Sequence, residues 1–216
     1  MGSQASTTRA ANRARLTKGQ VGRRLLGMPF PPMAEFFRSL PPPACLGVLL
    51  LLLLTPSSVR ATLAYSQSFN TSDGGFTTSG TTSWAWAEIT SGPGKAHSAA
   101  NAWATNPAGD YTNGEQSGSL SSPEIDLSAN AGQALLLSWW QYLVTAERDD
   151  PASVWVSKDG GATWDAVRES LNGSVSPSWQ KQSVFLDASY STDSFRIRFR
   201  FDSDESGTAP GFYVDD

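Results

Sequence analysis

Reactive side chains are almost missing from this chain. Its 216 residues include one cysteine, Cys45, and one histidine, His97. Catalytic zinc needs several nitrogen or sulfur ligands, and a serine or cysteine nucleophile usually needs a histidine base. No H-E-x-x-H motif occurs. Zinc-hydrolase, protease and esterase chemistry are therefore not expected of the segment after residue 60, which leaves open such an activity elsewhere in a longer parent protein. His97, in the polar loop 92–97, reads as a surface side chain. Cys45 lies in an apolar leader, so the remainder has no disulfide. Small exported domains often need such staples, but a domain of about 155 residues buries roughly 68–70% of its unfolded surface and can rely on a core alone. Clustered positive charge is scarce too. Of sixteen Lys/Arg and twenty Asp/Glu, residues 1–60 hold eight cations and one acid, Glu35, leaving eight cations against nineteen acids and a formal charge of −11 in residues 61–216. Phosphate binding needs a clustered cationic surface, so nucleic acid is not an expected partner.

Long apolar runs are limited to one, ACLGVLLLLLL at residues 44–54, with Arg38 before it and small residues after it. As a helix this run rises only about 16 Å, too short for a bilayer core of about 30 Å. A charged flank, a short apolar core and small residues near position 61 together read as a secretory signal peptide. Residues 1–61 are thus expected to be a basic extension with a signal peptide, and residues 62–216 a folded domain that is extracellular and holds no stable membrane span. The stretch before Met33 is long for such a leader.

No helical period of useful length appears after residue 61. Short β-rich runs alternate with Gly, Ser, Asn and Asp turns instead. The clearest is Phe195-Arg196-Ile197-Arg198-Phe199-Arg200-Phe201-Asp202, a strict period of two with one apolar and one charged face, the pattern of an antiparallel strand wet on one side. Arg196, Arg198 and Arg200 read as its solvated face, with an anion or partner contact as the alternative. Strands are expected at 63–69, 84–89, 98–105, 118–121, 133–144, 153–157, 166–169, 180–187, 195–202 and 212–214. That density implies an all-β, two-sheet antiparallel sandwich of jelly-roll type. All eight tryptophans fall after residue 83. Most are expected in the core. Trp139 and Trp140 must point to opposite faces, and Trp86 and Trp140 are the candidates for a sugar-stacking surface.

Three motifs bear on chemistry. Residues 157–164, SKDGGATW, fit the S-x-D-x-G-x-T-W turn, in which Asp159 bonds turn amides. The motif occurs once, so a propeller built from its repetition is not expected. Glu124-Ile125-Asp126-Leu127-Ser128 approaches the E-x-D-x-E row of laminarinase-type glycosidases, but a serine replaces the third acid. A glycosidase built on Glu124 and Asp126 is therefore a minor alternative. Oxygen donors at loop and strand ends, chiefly Asp215, Asp216, Asp110 and Asp73, offer ligands for a structural calcium, which takes six to eight oxygens. The chain stops at Asp216, directly after a short strand, which suggests a longer parent.

The order of several segments resembles MAM-type jelly rolls. They are Phe69-Asn70 to Gly75-Phe76, Ala102-Trp103-Ala104-Thr105 to Gly109-Asp110-Tyr111, and Leu120 to Leu127. Leu137-Ser138-Trp139-Trp140, Val154 to Gly161 and Gly211-Phe212-Tyr213-Val214-Asp215-Asp216 extend the pattern. The variant most similar is the MAM-like domain of immune inhibitor A-type secreted metallopeptidases and related bacterial surface proteins. The resemblance implies a concanavalin A-like sandwich with a bound calcium near Asp215 and Asp216. It also implies a non-catalytic adhesion or accessory role beside a neighbouring domain or on a protein or glycan surface. Two features depart from the family: the paired cysteines of its eukaryotic members and the zinc peptidase domain are both missing. A carbohydrate-binding module with exposed tryptophan is the rival expectation.

Overall fold

The computed structural model describes residues 61–146 and 149–216; the leader, with Cys45 and the expected signal peptide, lies outside the described residues. Ten strands form two five-stranded antiparallel sheets. The first holds β1 (Thr77–Gly80), β4 (Gln116–Ser121), β9 (Arg196–Ser203), β6 (Ala152–Ser157) and β7 (Asp165–Leu171), in the order β1-β4-β9-β6-β7. The second holds β2 (Ala85–Glu88), β3 (Asn101–Ala104), β10 (Gly211–Asp215), β5 (Leu135–Val144) and β8 (Ser174–Leu186), in the order β2-β3-β10-β5-β8. Among the described residues the helical content is two short 3-10 turns, Ser128–Asn130 and Ala188–Tyr190. This is the all-β, two-sheet sandwich that the alternation requires.

The period of two decides which side chains meet. Ile197, Phe199 and Phe201 of β9 are buried, as are Ala152, Val154 and Val156 of β6, Leu120 of β4, Trp139 and Leu143 of β5, and Phe212 and Val214 of β10. Phe199 lies opposite both Leu120 and Val154 in the register, so these rows share the inner face. Edge-to-face rings lock the layers, with Phe199 against Phe212 at 5.9 Å, Trp139 against Phe199 at 6.0 Å and Trp84 against Phe212 at 5.6 Å. Such pairs add about 0.5–1.5 kcal/mol each beyond their burial. One polar chain runs inside this layer: Trp139 Nε1 donates to Gln141 Oε1, and Gln141 Nε2 donates to Ser176 Oγ, each at 3.0 Å.

The strand expectations need three corrections. Residues 63–69 form no strand; Phe69 takes φ 55°, and its N–H turns back to Gln67 Oε1 at 3.0 Å, so the chain bends where the strand would have run. The strand at that edge is instead β1, four exposed residues of which none is apolar, paired only to β4. The expected strand at 180–187 begins earlier, at Ser174, and passes through Pro177. Pro177 is tolerated because β8 is an edge strand with an irregular register where Leu143 pairs with Ser176.

Candidate functional site

The outer face of the second sheet is covered where β2, β3 and β10 meet. The register places Ala85 opposite Ala104 and Ala87 opposite Ala102, a row of small side chains beside Tyr213 and Tyr142. The loop between β2 and β3 lies on this row. Ile89, Ala96, Ala102, Ala104, Tyr142 and Tyr213 make a second, small core outside the main one. Tyr213 Oη donates to Asn106 O at 3.0 Å and lies 2.9 Å from Ser91 Oγ, which pins the loop from below.

At the end of that loop, the last strand supplies two carboxylates. Asp215 lies on β10 opposite Trp140, with its side chain fully buried. Its Oδ2 accepts the backbone N–H groups of His97 at 2.9 Å and Ser98 at 3.1 Å, and its Oδ1 accepts that of Asp216 at 3.0 Å. Burial pushes this carboxyl up to about 6; the neighbouring Asp216 charge adds to the rise, and the accepted N–H bonds oppose it. Asp216 Oδ2 sits 2.7 Å from His97 Nδ1. The His97 ring stacks on Trp140, with centroids 3.7 Å apart and planes at 18°, and meets the edge of Trp179 at 6.1 Å. Trp179 Nε1 donates to Lys95 O at 2.9 Å, and Ser98 Oγ donates to Asn70 Oδ1 at 2.8 Å. His97 is therefore half-buried inside the cluster, not a plain surface side chain. The signal that could have placed it is the run of small residues around it, which lets the loop lie flat on the sheet.

His97, Asp215 and Asp216 bring one ligand atom each to within 4.8 Å of one another, the only such group among the described residues. Two carboxylates give hard oxygen donors and the imidazole gives a nitrogen. The set fits a divalent cation. The nitrogen suits zinc-class ions better than calcium, whose six to eight ligands are oxygens.

The other expected site residues lie elsewhere. Asp73 is exposed; its Oδ1 accepts Gly75 N at 2.9 Å and its backbone O accepts Trp103 Nε1. Asp110 is exposed, and its backbone O accepts Asn106 Nδ2 at 2.7 Å. Trp86 is half-buried against the main core and donates its Nε1 to Phe69 O at 2.8 Å. Trp140 carries His97 on its ring. Glu124 and Asp126 flank Ile125, which makes only an isolated bridge to Phe195. Asp126 Oδ1 accepts Ser128 N and Oγ, and those bonds hold its carboxyl below the usual range. The 157–164 turn forms as expected: Asp159 accepts Thr163 N at 2.8 Å, Thr163 Oγ1 at 2.6 Å and Ser157 Oγ at 2.7 Å.

No family model matches the chain, so the MAM-type resemblance rests on its own motifs. Bacillopeptidase F of Bacillus subtilis (strain 168) is 32% identical over 157 residues, covering 72% of this chain and 10% of that protein. The chain thus spans about a tenth of that relative's length. Among solved structures, the module TmCBM61 in complex with β-1,4-galactotriose superposes with a TM-score of 0.45 at 18% identity, covering 70% of this chain and 96% of that one. A carbohydrate-binding module of the β-sandwich superfamily does so with a TM-score of 0.45 at 16% identity, covering 72% and 61%.

Proposed function

We propose that the chain is a non-catalytic accessory module of a larger exported protein, held beside a neighbouring domain and stabilised by a divalent cation at His97, Asp215 and Asp216. The observation that carries this reading is how the one group of three convergent His and carboxylate side chains among the described residues is used. The oxygens of Asp215 accept three backbone N–H groups, and Asp216 pairs with His97. These groups fasten a loop to a sheet. The match to one tenth of a much longer protein supports a module within a larger architecture. The cation, where bound, favours the charged form of Asp215, which burial alone disfavours.

The purified chain is expected to release no reducing ends from β-glucans and no peptides from casein. Hydrolysis of a β-glucan that Glu124→Gln abolishes would overturn the non-catalytic reading. Melting measured with calcium, with zinc and with EDTA tests the cation. A ligand that binds only the native state raises Tm by mass action, so Tm should fall on chelation. An unchanged Tm, with no metal found by elemental analysis, removes the cation and leaves the accessory role to stand alone.

A further inference from the structure

The outer face of the first sheet is built differently from that of the second. Arg196, Arg198 and Arg200 of β9 point away from the core, since Ile197, Phe199 and Phe201 point into it. The register puts Arg198 between Ser121 and Trp155, Arg200 between Ser119 and Ser153, and Arg196 opposite Ser157. These serines are buried and small, a floor over which the long arginine stems can lie. Arg198 Nε donates to Ser121 Oγ at 3.3 Å, and its guanidinium stacks 3.7 Å from the ring centroid of Trp164. The Trp164 indole is itself fixed by Nε1 donating to Gly161 O at 2.9 Å. Trp155 is half-exposed and held by Nε1 donating to Ser153 Oγ at 2.8 Å.

Charge on this face is unbalanced. Arg200 pairs with Asp202 at 2.8 Å. Among the described residues, neither Arg196 nor Arg198 has a carboxylate within ion-pair distance, and Arg196 Nε is buried with no hydrogen-bond partner. Adjacent outward positions on one strand stand about 6.7 Å apart, so the two bare guanidiniums repel each other. This occurs in a domain with nineteen acids to eight cations, where a counter-charge would have been easy to place.

We propose that this face binds a linear polysaccharide bearing carboxylate or sulfate groups, with Arg196 and Arg198 gripping the anions and Trp155 and Trp164 flanking the sugar rings. Guanidinium forks match planar carboxylate and tetrahedral sulfate oxygens with paired hydrogen bonds, and indole faces beside them suit the apolar faces of sugars. Charge selects the class of ligand. A nucleic acid needs a broad cationic surface, which this acidic domain lacks, whereas a polysaccharide needs only anions spaced to meet the arginine stripe of β9. An acidic peptide finds no pocket here, because every large aliphatic side chain of β4, β6 and β9 points inward. The proposal rests on the chain being a binding module, at a surface distinct from the His97 cluster.

The test is affinity electrophoresis and calorimetry of the full chain against polygalacturonate, heparin, neutral galactan and polyglutamate, from low salt of about 50 mM upward, where screening is weak. Binding to polygalacturonate or heparin is expected, falling with salt; which polymer binds more tightly separates the carboxylate from the sulfate. Galactan and polyglutamate should bind at least tenfold more weakly. Arg196→Gln with Arg198→Gln should lose at least tenfold, and Trp164→Leu several-fold, with Tm and circular dichroism checked for each. Arg198→Lys should recover only part of the loss, since a lysine keeps the charge but not the fork. Failure of both acidic polysaccharides to bind overturns the proposal. So does an affinity unchanged in the folded double variant, or polyglutamate binding as tightly as the sugars. A polymer that is bound and then hydrolysed would defeat the accessory role while supporting this site.

Discussion

Removing one oxygen atom, in Tyr111→Phe, tests how the loops at one end of the sandwich are held. Tyr111 is buried, with its ring edge-to-face on Phe201 at 4.8 Å. Its hydroxyl donates to Asp150 Oδ2 and accepts the backbone N–H of Ala146 at 2.8 Å. Asp150 is 1% exposed, and its Oδ1 accepts the N–H of Asp204 at 2.8 Å. One hydroxyl and one carboxylate thus join the connections β3–β4, β5–β6 and β9–β10. Burial, then the bond to Asp150, pushes the Tyr111 hydroxyl well above its ordinary value, so it stays a donor at every workable pH. Phenylalanine keeps the ring packing and deletes two bonds. A bond to a charged group contributes about 1.5–3 kcal/mol and a neutral one about 0.5–1.5 kcal/mol, so the loss should be about 3 kcal/mol. For a domain of this size that is a Tm drop of about 6–12 °C. Asp150→Ala should cost a similar amount, because it strands the Tyr111 hydroxyl and the Asp204 N–H. Both substitutions delete the same Tyr111–Asp150 bond, so the double variant should fall short of the sum by about 1.5–3 kcal/mol. Denaturant unfolding at pH 7, with the m-value unchanged, measures all three. A Tyr111→Phe cost under about 0.5 kcal/mol, or additive single costs, would refute the staple.

Two further outcomes follow from the geometry. Bonds from Thr163, its hydroxyl first, hold the Asp159 carboxyl down to about 2. A depressed carboxyl stabilises the fold above its unfolded value, near 3.9, and that contribution is lost as pH falls through about 2; Asp159→Asn should flatten the acid limb of Tm against pH between 4 and 2. Gly211 sits at φ 98°, and a β-carbon there would lie 2.1 Å from Thr105 Oγ1, the acceptor for Phe212 N. Gly211→Ala should therefore cost more than about 2 kcal/mol in equilibrium unfolding; a cost near zero would mean β10 is free to shift.

How much could be read in advance depended on whether a segment carried its own alternation. β9 was legible because every second residue is apolar. The opposed directions of Trp139 and Trp140 followed from their adjacency alone, and the 157–164 turn from its spacing. β1 was not legible: TTSG has no apolar face, and only its pairing to β4 makes it a strand. Residues 63–69 show the opposite failure, since Leu63, Tyr65 and Phe69 fall at alternate positions among small and polar residues but Phe69 turns the backbone before any partner is met. In the candidate site, the terminal carboxylates stood out as strand-end acids. His97 did not, because its partners Trp140, Trp179 and Asp216 are 43, 82 and 119 positions further along, and such a contact exists only once β5, β8 and β10 lie side by side. The GDY segment shows the same limit: Asp110 is exposed, and the residue with structural work there is Tyr111.

Both sheets alternate in the same way, yet their outer faces took different side chains, and the reason is what lies on top. Over β2 and β3 the outward residues are alanines, and the covering loop approaches so closely that a β-carbon on Gly92 would fall 2.8 Å from the Tyr213 ring. Larger outward side chains would lift the loop and part Asp215 from the amides of His97 and Ser98. Over β9 and β6 the outward residues are arginine, tryptophan and serine, and among the described residues the Trp164 ring lies on this face against Arg198. An alanine row between two edges of a sandwich is thus the mark of a face that the chain covers itself, and an arginine–tryptophan row the mark of a face left for something else. If that distinction is physical, exchanging Ala102 for arginine should unseat the loop and lower Tm by several degrees, whereas Arg198→Ala, which loses a half-exposed stack on Trp164 and one bond to Ser121, should lower Tm less and chiefly alter what the protein binds.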